Sequence, residues 1–100
     1  MRKGYIPNLS KMPLSAIFYA LSDPARLQIV RQLLEDDEVC CGDFKCKVAK
    51  STMSHHFKVL RESGLIQKRE KGTQQLNSLR RKEIESRCPG LLEAIVDWKD

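Results

Sequence analysis

The run Ser51-Thr52-Met53-Ser54-His55-His56-Phe57-Lys58-Val59-Leu60-Arg61 carries the most chemically suggestive spacing in the chain. Placed on a helix, Met53, Phe57 and Leu60 fall at i, i+4 and i+7 and turn inward. Ser51, Ser54, His55, Lys58 and Arg61 then share the opposite face. Short hydroxyls and an imidazole near a helix start can come close to base edges, and long cations further on reach bases or phosphates. The unpaired N–H groups of a helix N-terminus also favour a phosphate. An ordinary amphipathic surface helix divides its faces in the same way, so the neighbouring segment has to decide.

That segment is basic as well. Lys68, Arg69, Lys71, Thr73 and Gln74 lie around the tip of an expected β-hairpin: strand Leu65–Glu70, turn Lys71-Gly72-Thr73-Gln74, return strand Gln75–Arg80. Cations on a protruding ribbon can follow a phosphate backbone or enter a minor groove. Charge on a hairpin also discourages edge pairing without any ligand. Positive charge that continues from helix to hairpin favours the nucleic-acid reading. Net charge is +5. Residues 45–82 hold eleven basic and two acidic side chains, against five and six in residues 1–44 and two and five in residues 83–100. A positive middle between mildly acidic ends is a polyanion-binding pattern rather than diffuse basicity.

Other chemistries find little support. His55 and His56 are adjacent, so on a helix they point about 100° apart and cannot readily share one metal ion; His56 is expected at the edge of the core and His55 outside. No nucleotide loop, paired-carboxylate motif or supported Cys–His dyad is present, which argues against an enzyme. The four cysteines, Cys40, Cys41, Cys46 and Cys88, form no Cys-x-x-Cys pair. No apolar run approaches the about 18 residues of a membrane span. The basic start lacks the apolar stretch of a secretory signal, so a cytoplasmic protein is expected, nucleoid-associated when bound to DNA.

The elements that position these residues follow from local signals. Residues 1–12 suggest a mobile or loosely docked arm, and residues 13–100 a single domain. Helix 13–22 places Ile17, Phe18 and Leu21 on one face. Asp23-Pro24 restarts a helix to about Glu35, with Leu27, Val30 and Leu34 as its inner stripe and Ile29 and Leu33 widening it. A short helix over 43–48 and a tight connection at 49–51 lead into the helix Ser51–Ser63, which Gly64 closes as a left-handed cap. After the hairpin, a helix from about Lys82 is interrupted at Pro89-Gly90. The expected fold class is mainly α with a β-hairpin wing, a winged helix-turn-helix.

On two stretches the resemblance becomes specific: Ala20-Leu21-Ser22-Asp23-Pro24-Ala25-Arg26-Leu27-Gln28-Ile29, and Ser51 through Ile66. Residues 20–66 resemble the ArsR/SmtB family of bacterial repressors, with weaker similarity through the hairpin to Leu92. The resemblance implies a homodimer held by the first and last helices, with one recognition helix per half-site. It assigns base reading to Ser51, Thr52, Ser54 and His55, and the wing to Lys71, Gly72 and Thr73. Apolar patterning supports the dimer on its own account. The last helix has a broad apolar face and the first adds Phe18 and Tyr19, so Ile17, Phe18, Leu21, Leu91, Leu92, Ile95 and Trp98 are the interface candidates.

The segment Glu38-Val39-Cys40-Cys41-Gly42-Asp43-Phe44 resembles the family's metal-binding helix, where Cys-x-Cys is common, but Gly42 stands where the second cysteine would be. Three readings stay open for Cys40 and Cys41: a soft metal(loid) ion completed by Cys46 or by a partner's thiolate, redox thiols, or small packed residues. Cys88 is expected to pack. No cofactor is required. The reading overall is a sequence-specific repressor acting as a homodimer on a palindromic operator, released by metal(loid) binding or thiol oxidation if the cysteines respond at all. Its partners are double-stranded DNA and a second copy, not a membrane. The alternative is a nonspecific nucleic-acid-binding architectural module without an effector.

Overall fold

The computed structural model describes residues 8–44 and 49–98. Among the described residues, five helices and a small sheet follow one another: α1 (Leu14–Leu21), α2 (Pro24–Glu35), β1 (Val39–Cys40), α3 (Lys50–Glu62), β2 (Ile66–Lys71), β3 (Gln74–Leu79), α4 (Arg81–Arg87) and α5 (Leu91–Asp97). Short 3₁₀ turns occupy Leu9–Lys11 and Cys41–Asp43. α2 lies at the centre, touching α1, α3, α5 and β3.

The boundaries have local causes. Asp23 caps α2, its carboxylate accepting the N–H groups of Ala25 at 2.8 Å and Arg26 at 3.3 Å, while Pro24 sits where no donor is needed. α3 ends in a Schellman motif: Leu65 N–H reaches the Leu60 carbonyl at 3.2 Å and Gly64 N–H the Arg61 carbonyl at 3.0 Å. Gly64 has φ +86°, and a side chain there would also stand 3.2 Å from Leu9 Cδ1. The left-handed turn thus favours glycine, and a side chain there would press on Leu9. Gly72, at φ +62°, opens the two-residue turn between β2 and β3, the position a type II′ hairpin reserves for glycine.

The core departs from the expected stripes in instructive ways. On α2 the fully buried positions are Arg26, Ile29, Val30 and Leu33, while Leu27 and Leu34 sit half-buried at its edges. The stripe is rotated because a cation occupies a core position, which hydrophobic counting passes over. On α1, Ile17 and Ala20 are buried and Leu21 is half-buried, whereas Phe18 is 55% exposed. Leu9 is buried and packs against the face of Gly64, and the Arg87 guanidinium donates to the Met12 carbonyl at 3.1 Å. Within residues 8–12, Leu9 and in part Met12 pack against the core, while Asn8, Ser10 and Lys11 are exposed.

Residues 36–44 add an element that the sequence does not announce. β1 was not anticipated: Val39 and Cys40 pair antiparallel with Asn77 and Leu76 of β3, making a three-stranded sheet in the order β1-β3-β2. Two residues are too few to show alternation, so no periodicity announced the strand. The short helix expected over 43–48 lies mostly outside the described residues; within them, Cys41–Asp43 form a 3₁₀ turn and Phe44 is extended, its ring 4.9 Å from that of Phe57 and edge-on to it.

Candidate nucleic-acid interface

α3 is backed by the core through Phe57, Leu60 and the half-buried Met53, and His56 is buried beside them. Ser51, Thr52, Ser54, His55 and Lys58 are all exposed on the outer face, and Arg61 is half-buried further along. The residue before the helix is Ala49, which offers no side-chain cap, and no acidic residue lies in the first turn. The N-cap Ala49 thus supplies no side-chain acceptor to the first-turn N–H groups, which a phosphate could bind instead.

The wing is anchored at its base and charged toward its tip. Ile66 pairs with Leu79, both buried, and the ladder continues through Lys68–Asn77 and Arg69–Leu76 to Lys71–Gln74. Strand alternation puts Lys68 on the face of Ile66 and Leu79, and Arg69 and Lys71 on the other. The wing cations thus split between the two faces of the ribbon and cannot all meet one groove from the same side. Lys71, Gly72, Thr73 and Gln74 are exposed at the tip.

Arg69 differs from the other wing cations. Its guanidinium meets Glu38 with two parallel hydrogen bonds, Nε to Oε2 and Nη2 to Oε1, the latter at 2.7 Å. The hydrogen bond from Arg69 holds the Glu38 carboxyl below its usual range against a smaller desolvation effect, with the charges of Arg69 and Lys71 adding to it. Glu38 precedes β1, so the pair ties the β1 end of the sheet to β2.

Sequence reasoning missed Arg26. It is 5% exposed and bonds to the carbonyls of Ala20 and Tyr19 and to the His56 ring. Its spacing before Ile29, Val30 and Leu33 was the available signal. Asp23 lies next to this group. Burial works against its ionised form, but the N–H groups of Ala25 and Arg26, with the charges of His56 when protonated and of Arg26, outweigh it and hold the carboxyl below its usual 3.8.

The candidate interface apolars fall into two sets. Ile17, Leu92 and Ile95 are buried in the chain's own core, and Leu21 and Leu91 are half-buried against it. Phe18 at 55% and Trp98 at 74% exposure stay on the surface, joined by Leu14, Tyr19 and Val96. Among the cysteines, Cys40 is half-buried on the sheet face of Leu76, and Cys88 packs partly against the core. Cys46 and the Cys41 side chain lie outside the described residues. Among the described residues no three His, Cys, Asp or Glu side chains converge to hold a metal ion. No helix there is long and apolar enough to cross a membrane.

Residues 23–68 match the profile of the arsR family of bacterial regulatory proteins. The chain is 43% identical over 82 residues to an uncharacterised HTH-type transcriptional regulator of Bacillus subtilis, YceK, covering 79% of this chain and 82% of that one. The chain belongs to the arsR family. Over 73 residues it is 36% identical to an arsenical resistance operon repressor of Staphylococcus xylosus, covering 71% of this chain and 69% of the relative. Among solved structures, the transcriptional repressor BigR from Xylella fastidiosa superposes with a TM-score of 0.68 at 26% identity, covering 87% of this chain and 88% of that one. This arsR-family chain is a winged helix-turn-helix DNA-binding transcriptional regulator, not an enzyme.

Proposed function

We propose that the chain is a repressor that binds a palindromic operator as a homodimer, with α3 reading bases and the β2–β3 wing gripping the backbone. The observation that carries this reading is the outer face of α3: an uncapped N-terminal turn, then Ser51, Thr52, Ser54, His55 and Lys58 exposed together on a helix whose back is fixed in the core. In this reading Ser51, Thr52, Ser54 and His55 contact base edges, Lys58 and Arg61 reach bases or phosphates, and Lys68, Lys71, Gly72, Thr73 and Gln74 serve the wing. Arg69 contributes only when it leaves Glu38.

The exposed Leu14, Phe18 and Tyr19 of α1, and Val96 and Trp98 at the end of α5, support a second copy as the partner. The interface then centres on these side chains, with Leu21 and Leu91 at its margin. Release by a soft metal(loid) ion or an oxidant at Cys40 and Cys41 belongs to the same proposal. Its support is that Cys40 is a strand residue of the wing's own sheet, beside Leu76.

Fluorescence anisotropy tests the reading, with reduced protein on duplex from upstream of its own gene and on a scrambled duplex at equal salt. A preference of about a thousandfold or more is expected. Equal and strongly salt-sensitive binding to this duplex, and to any duplex selected from a random library, would instead make the chain a nonspecific architectural module.

A further inference from the structure

The recognition helix is joined to the α1–α2 corner by one buried polar strut. Arg26 spends Nε on the Ala20 carbonyl at 2.7 Å and Nη2 on the Tyr19 carbonyl at 3.2 Å, and its Cζ lies 5.2 Å from the centre of the Tyr19 ring. Its remaining Nη1 stands 3.1 Å from Nδ1 of the buried His56. A guanidinium can only donate, so His56 Nδ1 must supply the lone pair. The ring proton then sits on Nε2, which faces Asp23 Oδ1 at 3.8 Å. A single tautomer satisfies the arrangement.

Position gives the strut its consequence. His56 lies between the base-reading candidates Ser54 and His55 and the core anchor Phe57. At its other end the strut grips the last carbonyls of α1, the helix that carries the exposed Leu14, Phe18 and Tyr19. Apolar contacts are non-directional and allow a helix to roll by small angles. A hydrogen bond to one ring nitrogen is directional and fixes that roll. In a two-fold reader, the attitude of each recognition helix relative to the helix at the dimer face sets how both enter successive grooves.

We propose that Arg26 and His56 are positioning residues for operator reading, fixing the attitude of α3 against the α1 surface that meets the partner copy. The proposal rests on the operator-binding reading above. It demands an acceptor at the Nδ1 position and nothing else of the imidazole, so His56→Asn, whose Oδ1 takes that place, retains function, while His56→Leu leaves Arg26 without its third partner.

The probe is the duplex that wild-type protein enriches from a randomised library, measured beside a scrambled duplex by anisotropy. His56→Leu is expected to lose operator preference by about tenfold or more, the scale of one misaligned base contact, with scrambled-duplex binding unchanged because Lys58 and Lys71 remain exposed. His56→Asn is expected to restore most of the preference. Nitrogen-15 NMR of the wild-type ring supplies a readout free of any folding defect, and is expected to show Nδ1 unprotonated and Nε2 carrying the proton. A protonated Nδ1, an unchanged preference in His56→Leu, or a His56→Asn no better than His56→Leu would each overturn the proposal. A library from which wild type enriches nothing overturns the operator reading itself, which separates the two failures.

Discussion

Replacing Asp23 by alanine removes the acceptor for two N–H groups at the start of α2, and the structure sets the size of the effect. The bond to Ala25 at 2.8 Å is good and the one to Arg26 at 3.3 Å is long, so a little more than one cap bond is lost. The carboxylate side chain is 36% exposed, which lets water replace part of it. Cap removals cost about 1 kcal/mol, and that central figure applies here. For a domain of this size it corresponds to a midpoint about 4–8 °C lower.

The pH dependence is the sharper part of this prediction. The folded-state pKa of Asp23 is depressed, so its contribution is full above the unfolded value of 3.8 and disappears as pH falls through the lower folded value. Wild type and Asp23→Ala should therefore differ at pH 7 and converge in strong acid. Asp23→Ser, a good cap without a titrating group, should match wild type at pH 7 and keep its advantage over alanine in acid. Urea unfolding at one fixed protein concentration measures all three, since any association shifts apparent stability. A wild-type-to-alanine gap that stays constant across the acid range would refute the argument, as would a serine variant that falls with wild type.

Three further outcomes follow from the described contacts. Leu9→Ala should cost about 2–5 kcal/mol by calorimetry or denaturant, because Leu9 is 2% exposed and packs onto the cap of α3; a neutral result would mean that Leu9 does not pack as described. Lys71→Ala should weaken binding to operator and scrambled duplex alike and lower the salt slope by about 0.9 for each copy bound, about 1.8 for the dimer, with an unchanged slope excluding it from the phosphate contacts. Glu38→Gln should do the opposite, freeing Arg69 for a phosphate and steepening the slope; a shallower slope would mean that Glu38 is needed to hold the wing in its binding position.

Much of this was legible in the sequence where one residue type has one physical use. Asp23-Pro24 announced a helix start, Gly64 an ending and Gly72 a hairpin, and the structure has all three. The inward and outward faces of α3 followed from spacing alone, down to the burial of His56 and the exposure of His55. What escaped depends on partners distant in the chain. Arg26 is buried because two carbonyls from α1 and a ring from α3 meet it, and none of these is visible from α2 itself. Arg69 read as a free wing cation because its partner Glu38 stands thirty-one residues earlier. Ile17, Leu92 and Ile95 read as interface because apolar helices in a small chain look alike whether the chain buries them itself or leaves them for a second copy.

The third strand also sets an order of assembly. β2 and β3 are joined by two residues and can zip within microseconds of each other's arrival, as local hairpins do. β1 pairs with β3 only after the chain from Cys41 to Gln75, including all of α3, has been brought back on itself. That closure is nonlocal and slow by comparison. The amides of the Cys40–Leu76 pairing should therefore exchange with solvent as one cooperative unit with α3, while the hairpin tip beyond Glu70 exchanges separately and sooner. Opening of that seam would release β1 from the sheet while β2 and β3 stay paired.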